Sequence, residues 1–431
     1  MRQSSEPFKV ESDDSMSDDD EGIFVSPTRP SESTRLPADG ELTPTNLDPN
    51  GDAIVIIPGK NTSTSPAKSF RVSTHVLGLA SKIFMQIFGP RHFSAPGTPR
   101  IRTIEGVHHR ATLDDDDPIA MEVILGILHF KVPEAAAQMD ARKLANIAIH
   151  CDKYNCTRVI KPYLADWFKE ANTILPTTSI LPSTGPTSVA DDDSSDSDDS
   201  DSDDSSDSED TKLSEQLGFL LLAAHFFRDE KQFKHFSKVV VQNLTPTFSA
   251  EWEKDALLKL LSRTMKSKLV DKVKKCQGYL RNDLESGISR LLGHAETHKV
   301  RGDLCGKCGV VYSTLPTTRE CSDCEFTEFY PSYCSKDSRV GEYVENMKRF
   351  GLWSSKRFER CPVSQLTRKV AKLAENIFDD EVHECDGRDK CPLRLELTLL
   401  NKAFMKRSDS LEGISLFPLQ KSRKRQRDEA N

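Results

Sequence analysis

The chain has 431 residues, room for two or three domains, but only 36% of them are hydrophobic and 29% are charged, which excludes one continuous core from end to end. No apolar run approaches the ~20 residues that cross a bilayer, which excludes a bundle of membrane helices. The net charge of −8 is concentrated: residues 191–210 are twelve Asp/Glu and eight Ser, and residues 1–22 hold eight acidic against two basic side chains, so the remainder is mildly basic.

Residues 1–48 are polar, rich in Ser, Pro, Asp and Glu and without periodicity, and are expected to be a disordered acidic tail. Ser15 and Ser17 precede acidic clusters, as acidophilic kinases require, although a solvated tail needs no such site. The opening Met-Arg-Gln-Ser-Ser-Glu has no apolar signal-peptide core, so the expectation is an intracellular chain. Its eleven cysteines are then reduced or metal-bound rather than paired.

Ala53-Ile54-Val55-Ile56-Ile57 between turn residues predicts a buried strand, and Lys68-Ser69-Phe70-Arg71-Val72 a second one. Ser73 or Thr74 can cap a helix whose face carries Val76, Leu79, Ala80, Ile83, Phe84 and Ile87. Asp117-Pro118 opens another, with Asp as cap and Pro at the first position. It carries Ile119, Val123, Ile124, Ile127 and Leu128. Two more follow, with Leu144, Ile147, Ala148 and Cys151, and with Ile160, Tyr163, Leu164 and Trp167. Strands followed by a helical cluster predict an α+β domain.

Gly51-Asp52 before the apolar strand, Phe70-Arg71-Val72-Ser73-Thr74-His75-Val76-Leu77, Ala80-Ser81-Lys82-Ile83-Phe84, Asp116-Asp117-Pro118-Ile119-Ala120-Met121 and Ala148-Ile149-His150-Cys151-Asp152-Lys153-Tyr154 resemble the BTB/POZ domain, fungal type. The resemblance covers residues 49–172. It implies a BTB/POZ fold, a small β-sheet with a helical cluster, that pairs with itself as a homodimer or binds other proteins and has no catalytic chemistry. Adaptors of that class for cullin-type ubiquitin ligases present an apolar–x–acidic tripeptide after the helix that ends here near Phe130. Val132-Pro133-Glu134 fits those letters, as does a plain Pro-containing turn.

Residues 173–212 are expected to be a disordered linker, extended by the mutual repulsion of its Asp/Ser tract. It serves as a spacer or as a polyanionic lure for basic partners. A helical region is expected over 213–300, with Leu217, Leu220, Leu221 and Ala224 on one face and Phe233, Phe236 and Val240 on another. From Leu258 to Ala295 apolar residues recur at steps of three and four, and leucine returns every eleven residues at 258, 269, 280 and 291. An eleven-residue period keeps the stripe nearly straight along a helix of about 40 residues. That helix packs on its own domain or serves as a dimerising strut, and Gly278 and Gly287 are places where it could break.

Over 301–405 the expectation is a Cys-rich helical module. Cys305-Gly-Lys-Cys308 and Cys321-Ser-Asp-Cys324 are two C-x2-C hooks twelve residues apart, the spacing with which four thiolates close a tetrahedron around structural zinc. Val310-Val311-Tyr312 would then be half of a small hairpin. Buried free cysteines or a redox dithiol are the alternatives, the latter without the βαβ pattern such motifs keep. Cys334, Cys361, His383, Cys385 and Cys391 offer a substitute ligand or a second site. Glu320, Asp323, Glu325 and Glu328 around the second hook make a poor phosphate-binding surface, so direct contact with nucleic acid is not expected there.

Residues 406–431 are expected to be a disordered basic tail, in which Lys421, Arg423, Lys424, Arg425 and Arg427 read as a nuclear localisation signal. No P-loop, G-x-G-x-x-G, nucleophile elbow or H-E-x-x-H occurs. His108-His109 is expected in a polar loop and His150 on a helix rim. The sequence therefore leads to a non-enzymatic, nuclear interaction scaffold, α+β at its BTB/POZ end and α-helical with a zinc-stabilised module at its C-terminal end. It would act as a homodimer or as a cullin adaptor. The alternative is a nuclear transcription or chromatin regulator that associates with nucleic acid, directly or through a transcriptional partner, by its C-terminal region.

Overall fold

The computed structural model describes residues 43–59, 66–89, 100–103, 106–131, 136–173, 207–308, 311–312, 320–325, 327–376, 385 and 390–417. The chain divides into two units, 1–43 and 44–431; the described residues, Thr43 apart, belong to the second.

A five-stranded sheet stands at the N-terminal end of that unit. Its strands are β1 (Thr45–Asn46), β2 (Ala53–Ile57), β3 (Lys68–Val72), β4 (Arg100–Thr103) and β5 (Gly106–Thr112), in the order β1-β3-β2-β5-β4. β2 runs antiparallel to β3, with Val55 opposite Phe70, and parallel to β5, with Val55 opposite Ala111. Every residue of β2 is buried, which is what an unbroken β-branched run provides and an alternating strand does not. His108-His109 does not lie in a loop. It sits in β5, with His109 opposite Arg100 of β4 and Ala53 of β2, because backbone pairing on both edges does not require an apolar side chain at every position.

The residues after β3 form not one helix but two, α1 (Thr74–Ala80) and α2 (Lys82–Phe88). Ser73 caps the first, accepting from Val76 N–H. Ser81 ends it and caps the second, accepting from Ile83 and Phe84 N–H while its own hydroxyl donates to the Tyr154 carbonyl. The break rotates the apolar face: Leu77, Phe84 and Phe88 are buried and Leu79 turns outward. Next come α3 (Pro118–Leu128), capped by Asp117 accepting from Ala120 N–H, and α4 (Ala141–Lys153), capped by Asp140. Two short turns of helix, α5 (Thr157–Ile160) and Lys161–Tyr163, lead to α6 (Leu164–Thr173).

Helix returns at α7 (Asp207–Phe226), six residues before the expected start of the helical region at Leu213, and continues through α8 (Glu230–Asn243) and α9 (Phe248–Trp252). α4 packs along α7. Arg142 of α4 stacks on the Phe219 ring at 4.8 Å, and the Phe168 ring of α6 meets those of Phe227 and Phe236 at 6.3 and 5.7 Å. The sheet, its helices and α7–α9 thus share one core.

The long stripe forms α10 (Arg263–Gly293), 31 residues and about 46 Å long. It is shorter than the stripe because Leu258–Leu260 is a separate 3-10 turn, and Ser262 is held extended as the cap of α10. Leu269, Leu280 and Leu291, eleven apart, are all fully buried. Leu269 and Val273 lie in the first core, and Cys276, Leu280, Leu284 and Leu291 in a second.

That second core lies between α10 and α11 (Lys336–Arg349), α12 (Ser355–Glu359), α13 (Val363–Asn376) and α14 (Pro392–Ser410). A small antiparallel sheet joins them: β6 (His298–Cys305), β7 (Val311–Tyr312) and β8 (Phe329–Cys334), in the order β7-β6-β8. Residues 406–417, assigned by their composition to the tail, complete α14 and return to the first core. There Ile414 N–H donates to Ser237 Oγ at 2.8 Å and Leu416 N–H to Glu230 at 2.9 Å.

Candidate metal centre

Cys305 ends β6, and the turn it begins carries Cys308 toward β7, where Leu304 pairs with Val311. Gly306 N–H donates to Glu328 O, tying this turn to the residue before β8. The second hook closes on itself: Glu325, with φ +57°, turns back so that its N–H donates to Cys321 O at 2.8 Å. The register sets Cys305 opposite Phe329, so both hooks meet at one end of the sheet.

All four sulfurs lie within 4.8 Å of one another. Cys305 Sγ is 3.5 Å from Cys324 Sγ, and Cys308 Sγ 3.3 Å from Cys321 Sγ. A zinc–sulfur bond of about 2.3 Å in a tetrahedron separates sulfurs by about 3.8 Å, so the donor set and its size fit such an ion. Burial opposes ionisation of Cys305, but the N–H groups of Cys308 and Lys307 aimed at its sulfur outweigh that, and its thiol is lowered below the usual value. Cys305 and Cys321 are buried, Cys324 partly so, and Cys308 is exposed. Four protein ligands leave no open position for substrate, so the centre is suited to holding structure rather than to chemistry. Its surroundings are acidic: Glu320, Asp323 and Glu325 are exposed, and Glu328 accepts from Tyr330 Oη at 2.8 Å.

Three of the other cysteines form a group of their own. Cys334, Cys385 and Cys391 are buried with their sulfurs within 4.8 Å. Cys361 stands apart from them, with Lys369 Nζ 3.7 Å from its sulfur. Spacing along the chain could not separate these roles, because Cys334 and Cys391 are 57 residues apart and meet only through the fold. His383 lies outside the described residues.

The motif letters near the first sheet have structural work. A side chain at Gly51 would strike the Val72 carbonyl at 2.6 Å. Asp52 accepts from Thr74 N–H and Oγ1 at 2.8 and 2.6 Å. Asp116, fully buried, accepts from Lys153 Nζ at 2.5 Å and from Tyr154 Oη, and burial followed by that bond pushes the phenol well above its ordinary value. His150 is no rim residue but buried: Nε2 accepts from Asp117 N–H at 3.0 Å and Nδ1 lies 2.7 Å from Asn146 O.

Val132, Pro133 and Glu134 lie outside the described residues, as do Lys421, Arg423, Lys424, Arg425 and Arg427. Next to the former, Phe130 has φ +57° and is 94% exposed. Leu79 and Met85, on α1 and α2, are 73% and 53% exposed. Sequence periodicity hid these side chains by counting Leu79 as core. Among the described residues no helix is long and apolar enough to cross a membrane. Comparison with protein-family models, curated proteins and solved structures finds no match to this chain.

Proposed function

We propose that the chain is a non-enzymatic interaction scaffold whose residues 49–172 form a BTB/POZ-type docking unit and whose Cys305, Cys308, Cys321 and Cys324 bind structural zinc. A strand hairpin, two short helices, a returning strand and a helical cluster agree with the fold the resemblance implies. The observation that carries the docking reading is the outward apolar surface of α1 and α2. Leu79 and Met85 are exposed beside a well-filled core, and leaving such side chains in water forgoes ~1.5–3 kcal/mol each that a partner surface would recover.

The occupant proposed for that surface is a second copy of the chain. Light scattering after size exclusion should give a dimer for the full chain and a monomer for Leu79→Asp/Met85→Asp with unchanged circular dichroism. A dimer that survives the double substitution would remove this surface from the interface. A wild-type monomer would turn the reading to a foreign partner, for which retention of a cullin N-terminal domain, lost on Glu134→Lys, is the direct assay. The basic residues 421–427 are proposed to carry the protein to the nucleus.

A further inference from the structure

The two cysteine groups occupy opposite ends of β8. Phe329 pairs with Cys305 at one end and Cys334 with His298 at the other, about 17 Å away along five residues of strand. At the far end Cys334 closes β8, Cys391 caps α14, and Cys385 joins them; Cys334 Sγ and Cys391 Sγ are 3.9 Å apart. Three buried thiols converging from three segments are a donor set for a soft, tetrahedral ion that lacks its fourth ligand.

His298, paired with Cys334 across the ladder, is the candidate for that ligand; its ring nitrogens do not lie within 4.8 Å of all three sulfurs, so a side-chain rotation has to bring the imidazole in. Residues directly opposite in an antiparallel pair project to the same face with Cβ atoms about 4.5–5.5 Å apart, so the imidazole lies on the Cys334 side of the sheet. Its Nε2 is shielded from solvent and has no hydrogen-bond partner among the described residues. A buried ring nitrogen without a partner is costly, and a metal bond would satisfy it. Arg339, fully buried, completes the setting. Its guanidinium donates to Cys334 O, to Glu296 O and to His294 O at 3.4, 2.8 and 2.8 Å, clamping the chain just before His298 to the end of β8. Three thiolates and one neutral imidazole around Zn²⁺ leave one negative charge, which the guanidinium offsets.

We propose that Cys334, Cys385, Cys391 and His298 form a second, closed zinc site, independent of the four-cysteine centre and of the docking reading. Native mass spectrometry of the full chain purified under reducing conditions should show two zinc ions per chain. Cys391→Ser should lose one and Cys324→Ser the other. His298→Ala, at a half-buried position, keeps the fold available and should also lose one ion to a competing chelator, while His298→Cys should retain both. With cobalt in place of zinc, His298→Cys should change the ligand-field spectrum of one ion only.

A single zinc that vanishes in Cys324→Ser but survives Cys391→Ser overturns the second site and leaves the first. A single zinc with the opposite dependence leaves the second and removes the first. Two zincs whose chelator resistance is unmoved in His298→Ala overturn His298 as a ligand. A wild-type disulfide between Cys334 and Cys391, read as a two-dalton loss, overturns the site altogether.

Discussion

His129 shows how one side chain can set a pH limit on the fold. It ends α3 with Nδ1 2.8 Å from Leu125 O, and its Nε2 accepts from Ser73 N–H at 3.0 Å, joining the end of α3 to the cap of α1. Both nitrogens are thus used by the neutral ring, and burial pushes the group below the ordinary histidine value. His225 is lowered for the same reason. Because these rings bind protons less readily folded than unfolded, their contribution is complete above pH ~6.5 and is lost as the pH falls through their lower folded values. Urea midpoints should therefore drop between pH 7.5 and 5.5. His129→Gln should reduce that drop, with the His225 part remaining.

Gly278 and Gly287, the two interior glycines of α10, are alike in sequence and opposite in setting. A methyl group at Gly278 meets nothing within 4 Å, whereas at Gly287 it would lie 2.5 Å from Tyr343 Oη. That hydroxyl donates to Leu284 O at 2.9 Å and cannot retreat without breaking the bond. Gly278→Ala should stabilise the protein by about 0.5–1 kcal/mol through helix propensity. Gly287→Ala should destabilise it by about 1–3 kcal/mol through overpacking, both read from urea unfolding. The elements most legible in the sequence were those whose signals are local: the caps Ser73 and Asp117, the apolar run of β2, the eleven-residue stripe and the paired C-x2-C hooks. β4 and β5 were missed because Arg100, Arg102, His108, His109 and Arg110 leave no alternation to find, and only the ladders of β5 with β2 and of β4 with β5 make them strands. The true start of α10 was hidden because the turn at Leu258–Leu260 keeps its leucines in helical phase. The partners of Cys334 depend on sheet register and on helices far along the chain, which no spacing rule contains.

At the scale of the molecule, α10 is a member of both cores, and its second half is fastened to the rest. Arg290 grips Glu396 of α14 at 2.6 and 2.9 Å, and Gln277 Nε2 donates to Glu359 O and Cys361 O at 3.1 and 2.9 Å. Neither core can melt without releasing half of this helix. Calorimetry should therefore give one transition for the described body, and metal removal should lower its midpoint as a whole; two separated transitions would show that α10 does not couple the cores. The packing of α4 against α7 has a different consequence. α6 ends at Thr173 and α7 begins at Asp207, and the described residues on either side recognise each other through Arg142, Phe168, Phe219, Phe227 and Phe236. A protease cut between those points would yield two fragments that remain docked as a complementing pair.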